Sequence, residues 1–171
     1  KVSFRELDPS TSTRSFANKE IDVVSGLINA DQYQTAAGRA DAEIREAGGK
    51  QWRHFTFNTN SGLLQDKGIR QAIVKGLNRE AIAASDLAGL PVEPAELMMG
   101  NHFFMPGQEG YADNAEDFKF DPEAAGKQLA ELGWKLDDGA EFRTKDGQTL
   151  EIEYQLLQGI PTSENEGKLL Q

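Results

Sequence analysis

The sequence predicts a mixed α/β fold, and three stretches carry that prediction. In 66–80, Ile69, Ala72, Ile73, Gly76 and Leu77 recur at helical spacing and make one apolar stripe. In 51–58 the period changes to two, with Phe55 and Phe57 on one side and His54 and Thr56 on the other. In 150–156, Leu150, Ile152, Tyr154 and Leu156 alternate with Glu151, Glu153 and Gln155, the pattern of a strand with one buried and one wet face.

Taken in order, residues 2–7 read as a strand that turns Val2 and Phe4 towards a core. Asp8-Pro9-Ser10 starts a short helix reaching about Phe16 and Ala17. Residues 21–24 are apolar and short enough for a buried strand. A polar, alanine-rich helix is expected over 29–40, with Asp31 as cap and Tyr33 and Ala37 as a thin buried face. Residues 41–46 suit another strand, and Gly48-Gly49 a turn, before the alternating 51–58 segment. Asp66 caps the 66–77 helix, and Asn78 both closes it and caps a second helix, Arg79 to Leu87, whose buried side includes Ile82 and Leu87.

A loop over 88–117 follows, rich in Gly, Pro, Met and aromatic residues, and a loop this long is more often functional than accidental. Asp121-Pro122-Glu123 opens a helix whose stripe is Ala125, Leu129 and Leu132. Gly133 and Trp134 complete a Schellman ending. Asp146-Gly147 suits the type I′ turn of a hairpin. Ser163-x-x-Glu166 reads as the capping box of a terminal helix.

Composition removes several function classes. The 171 residues carry a net charge of −10, with pI near 4.7 and mean hydropathy −0.57. Such a surface repels nucleic-acid phosphates and does not suit a basic membrane-surface helix. With no cysteine there is no disulfide framework and no thiolate nucleophile or ligand. No apolar run approaches the ~20 residues that span a bilayer. The chain opens without a signal-peptide pattern and both ends read as cut, so a portion of a longer protein is expected.

A search for catalytic chemistry returns little. There is no Gly-x-Ser-x-Gly elbow and no Gly-x-Gly-x-x-Gly loop, and no carboxylate pair stands out. His54 and His102, the chain's two histidines, are far apart in sequence and lack ligands at metal spacing, so no metal role is expected. Arg70, off the apolar stripe, is read first as a structural cation. Trp134 is read as a helix-end plug. Met98, Met99, Phe103, Phe104 and Met105 are read as packing by default, with an adaptable apolar binding wall as the alternative.

The run Asp66-x-x-Ile69-Arg70-Gln71-Ala72-Ile73-x-x-x-Leu77-Asn78-Arg79-Glu80-Ala81-Ile82 resembles the signature helix pair of the family 5 extracellular solute-binding proteins, the peptide-type receptors of ABC importers. Further matches occur in the family's order: 18–23, with Lys19 where the family usually has glycine; Phe55-Thr56-Phe57-Asn58; Pro106 ahead of Gly110-Tyr111; and 121–134 with Glu131, Gly133 and Trp134 in step. The resemblance implies a type II, two-lobe periplasmic-binding-protein-like receptor. Residues 1–61 would be the C-terminal part of the first lobe and 62–171 a truncated second ligand-binding lobe.

The implied protein is extracytoplasmic, either periplasmic or a cell-surface lipoprotein. It is a monomer without cofactor or metal, and it binds oligopeptides or dipeptides and delivers them to a membrane permease. It is not an enzyme. In peptide-binding members the turn after the hairpin reaches the ligand, and an arginine there can hold a peptide carboxylate. The matching 157–162 stretch has no arginine, which leaves Gln158, the Gly159 backbone and Thr162 as donors, with Phe104 and Met105 from the long loop. The alternatives are a receptor for a nickel complex, oligosaccharide or opine, and a stand-alone interaction domain that uses the Met and Phe loop.

Overall fold

A computed structural model describes residues 1–47, 49, 52–158 and 160–170. Among them the fold is mixed α/β. The order is α1 (Pro9–Ala17), α2 (Ala30–Ala37), α3 (Lys67–Gly76), α4 (Arg79–Asp86), α5 (Pro122–Glu131), β1 (Thr144–Lys145), β2 (Gln148–Thr149) and α6 (Pro161–Leu169). Three 3₁₀ turns, Gly62–Gln65, Pro94–Leu97 and Glu116–Phe118, punctuate the connections. The chain divides into two compact units, Lys1–Gly49 with Ala83–Pro94, and Lys50–Ile82 with Ala95–Gln171. The boundary thus falls inside α4.

In the first unit α1 packs on α2. Asp8 caps α1 by accepting from the Ser10 N–H at 2.8 Å. The cap of α2 is Asn29, which accepts from Gln32 N–H at 3.0 Å, and not Asp31, which sits in the first turn. Its buried residue is Ala36 in place of Ala37, with Tyr33 half-buried. Arg39 binds this unit together. Its guanidinium stacks 4.5 Å from the Phe16 ring centroid and donates to the carbonyls of Phe16 and Ile21. Lys19 has a left-handed backbone, at φ +64°, and its ammonium reaches Asp41 at 3.0 Å.

The second unit is built on the α3–α5 packing. Ile69 and Ala72 are the most deeply buried residues of α3, and Ala125 faces them from α5. Gln128 ties the pair by donating to Gly68 O at 2.8 Å and accepting from Lys75 Nζ at 3.2 Å. Both predicted caps of the signature pair form: Asp66 accepts from Gly68 N–H, and Asn78 accepts from Ala81 N–H. Arg70 is structural, donating to the carbonyls of Leu64 and Gln65.

Helix α5 ends in the predicted Schellman motif. Trp134 N–H donates to Leu129 O and Gly133 N–H to Ala130 O, both at 2.9 Å, with Gly133 at φ +91°. Trp134 is 3% exposed. The hairpin turn has positive φ at Asp146 and Gly147, as type I′ requires. It pairs Thr144 with Thr149 and Lys145 with Gln148.

The expected strands do not form. Residues 2–7, 21–24, 41–46, 52–58 and 150–156 run without a regular ladder, and Val2, Phe4 and Val23 are largely exposed. Ile152, Tyr154 and Leu156 are exposed as well, which corrects the buried face read for that stretch. The physical reason is non-local: alternation prepares a segment for a sheet, but only a neighbouring strand supplies the hydrogen bonds. Burial still follows the alternation in 54–57, with Phe55 and Phe57 half-buried and His54 and Thr56 exposed.

The capping box at Ser163 is also corrected. Helix α6 starts earlier, so Ser163 lies inside its first turn and accepts from Leu157 N–H at 3.0 Å. Glu166 instead takes Arg53 as an ion-pair partner and accepts from the Tyr154 hydroxyl at 3.1 Å. Of the expected Gly48-Gly49 turn and 51–58 strand, Gly48 and Gln51 lie outside the described residues.

Candidate ligand-binding site

The long loop is held by its own polar side chains. Asn101 accepts from the N–H groups of Phe103 and Phe104 and donates to Ala112 O. Gln108 accepts from Met105 N–H at 2.7 Å, and its own N–H donates to Met105 O at 3.0 Å. Asn114 N–H donates to Gly100 O at 2.8 Å. A Cβ at Gly100 would meet the Asp113 carboxylate, which would have to move aside.

Two concavities open on this loop. The smaller, about 220 Å³, is lined by Trp52, Met99, His102, Phe103, Met105 and Gln108. Trp52 is its hub, with the His54 and His102 rings 4.5 and 4.6 Å from the indole. The larger, about 390 Å³, shares Met99 and carries charges of both signs, Arg79 and Lys119 against Glu80, Asp113 and Glu116. Glu116 binds Lys119 at 2.7 Å and pushes its ammonium pKa up. Arg79 donates a long 3.4 Å bond to Met99 O, and among the described residues it has no carboxylate partner. The result is a charged groove beside an aromatic niche, with one guanidinium left for an anionic group.

Of the residues singled out from sequence, Met105 lines the smaller cavity. Phe104 is 43% exposed and lies over Gly110. Phe103 is 85% exposed, so packing does not account for it. Gln158 lies in an exposed turn and Thr162 is half-buried in α6, and neither lines the two cavities; Gly159 lies outside the described residues. Trp52, His102, Gln108 and Arg79 were not singled out as binding residues. The clue for Trp52 was its place at the head of an aromatic alternation. Nothing local signals His102 or Gln108.

The sequence pattern of the family described as bacterial extracellular solute-binding proteins, family 5 Middle, matches residues 1–171. The chain belongs to this family. Its members are solute-binding proteins and not enzymes. The oligopeptide-binding protein OppA of Mycobacterium tuberculosis is 40% identical over 152 residues, 88% of this chain and 25% of the relative. The nickel-binding periplasmic protein of Escherichia coli is 21% identical over 175 residues, 100% of this chain and 32% of the relative. The oligopeptide-binding protein AppA of Bacillus subtilis is 25% identical over 144 residues, 81% of this chain and 25% of the relative. The chain thus spans about a quarter to a third of the length of these curated relatives. Among the described residues no helix is long and apolar enough to cross a membrane.

Proposed function

We propose that this solute-binding family member is the peptide-binding component of an ABC importer, acting outside the cytoplasm and passing its solute to a membrane permease. The observation that carries the reading is the 40% identity to an oligopeptide-binding protein over 88% of the chain. The groove is chemically suited to that ligand, since a peptide brings a carboxylate, an ammonium and side chains to a surface that offers Arg79, acidic groups and an aromatic niche. The whole receptor has two lobes, with residues 1–61 in the first and 62–171 in the second, and closes on its ligand by hinge motion. Gln158, Gly159 and Thr162 are further contributors, Gln158 from the exposed turn ahead of α6 and Thr162 from its first turn.

Native mass spectrometry of the full-length protein tests the assignment. A heterogeneous set of peptide masses, lost on unfolding, is the expected result; an empty protein that ignores a peptide mixture overturns it. Arg79→Gln should weaken binding of a peptide with a free C-terminus about tenfold, the loss of one charge-assisted hydrogen bond. The same variant should leave a C-terminally amidated peptide unaffected, and calorimetry separates the two. A nickel complex is the second reading, favoured by the nickel-binding relative that aligns along the entire chain. A single small non-peptide mass in the same spectrum would select it.

A further inference from the structure

The two histidines of the chain, distant in sequence, converge on one indole. Their rings lie 4.5 and 4.6 Å from Trp52 and 5.8 Å from each other. Two of the three methionines, Met99 and Met105, line the same cavity as Trp52 and His102. We propose that the Trp52–His102 cavity is a binding site for a soft monovalent metal ion, Cu(I), with His102, Met99 and Met105 as ligands and His54 as an additional imidazole. The inference does not depend on the peptide reading.

The donor chemistry selects the ion. No carboxylate lines the cavity, and among the described residues no cluster of three or more His, Cys, Asp or Glu side chains could hold a metal. Hard cations, which need oxygen ligands, find no cage here. Thioethers are soft donors that favour Cu(I), and imidazole completes a neutral ligand set suited to a singly charged ion. The indole face adds attraction for a cation close to its ring.

The ligands are also held in position. The Met105 backbone is held by its N–H donating to the Gln108 side chain and its carbonyl accepting from the Gln108 N–H. The residues that follow His102 are fixed by the Asn101 carboxamide. The Thr56 hydroxyl lies 3.4 Å from His54 Nδ1.

The test is an anaerobic titration of the full-length protein with Cu(I), in competition with a chromophoric Cu(I) chelator. Wild type should withdraw one equivalent and quench tryptophan fluorescence. His102→Ala should abolish the competition, and Met99→Leu and Met105→Leu should each weaken it at least tenfold. Trp52→Phe should keep most of the affinity but lose the quenching. X-ray absorption should detect sulfur and nitrogen neighbours in wild type and lose the sulfur in the double leucine variant. Failure to compete, competition unchanged by the His102 and Met variants, or equal affinity for Zn(II) or Ni(II) would overturn the proposal. Unchanged circular dichroism of the variants separates lost binding from lost folding.

Discussion

Asp41 shows how much a single exposed carboxylate can organise. The Lys19 ammonium and the Arg39 guanidinium both hydrogen-bond to it and hold its pKa down to about 2, against an ordinary 3.8. A carboxylate whose folded pKa is depressed contributes stability that is present above about pH 4 and lost as pH falls towards 2. An NMR titration should therefore give Asp41 a midpoint near 2, and Asp41→Asn should remove this part of the acid transition. The group is exposed, so high salt should shift the midpoint back up. Arg39 is the more consequential partner, because it also joins the carbonyls of Phe16 and Ile21. Sequence spacing showed none of this, although Lys19 was legible as a residue in a glycine's place.

Among the elements, α6 depends on an interaction reaching far back along the chain. Glu166 is buried on this helix and carries both Arg53 and the Tyr154 hydroxyl. Burial first, and then the Glu166 carboxylate, push the Tyr154 phenol pKa up. Glu166→Gln should destabilise α6 by about 1–2 kcal/mol, less than a fully buried pair because Arg53 is half exposed. Faster amide exchange confined to α6 would check this, and Tyr154→Phe should produce about half the effect. Helix α5 contrasts with it. Its cap, stripe and Schellman ending are all written within 121–134, so local sequence sufficed to read it.

For the whole molecule the decisive feature is the set of extended apolar segments without ladder partners. Phe4 is 94% exposed and Val23 80%, and Ile152, Tyr154 and Leu156 form an exposed row. Because the chain spans only about a quarter of its oligopeptide-binding relatives, a protein of their full length is expected to supply neighbouring strands. Hydrogen exchange should then find the amides of 2–7, 21–24 and 150–156 protected in the full-length protein and unprotected in residues 1–171 alone. Equal, rapid exchange in both would show that these segments are not strands in the full-length protein. On the proposed peptide reading, residues 1–171 alone should also bind peptide weakly, since their cavities would form only part of a cleft.

The caps of α1, α3, α4 and α5, the apolar stripe of α3, the α5 ending and the type I′ hairpin were determined by the sequence itself. Each depends on residues a few positions apart, so its physics is contained in a short window. The family was legible for a related reason, as an ordered series of such windows. Tertiary structure alone decided that the alternating segments run without a ladder, that Glu166 joins Arg53 and Tyr154, and that Trp52, His54, His102 and Met105 converge. Those outcomes depend on groups brought together across long stretches of chain, and no local pattern encodes the distance between them.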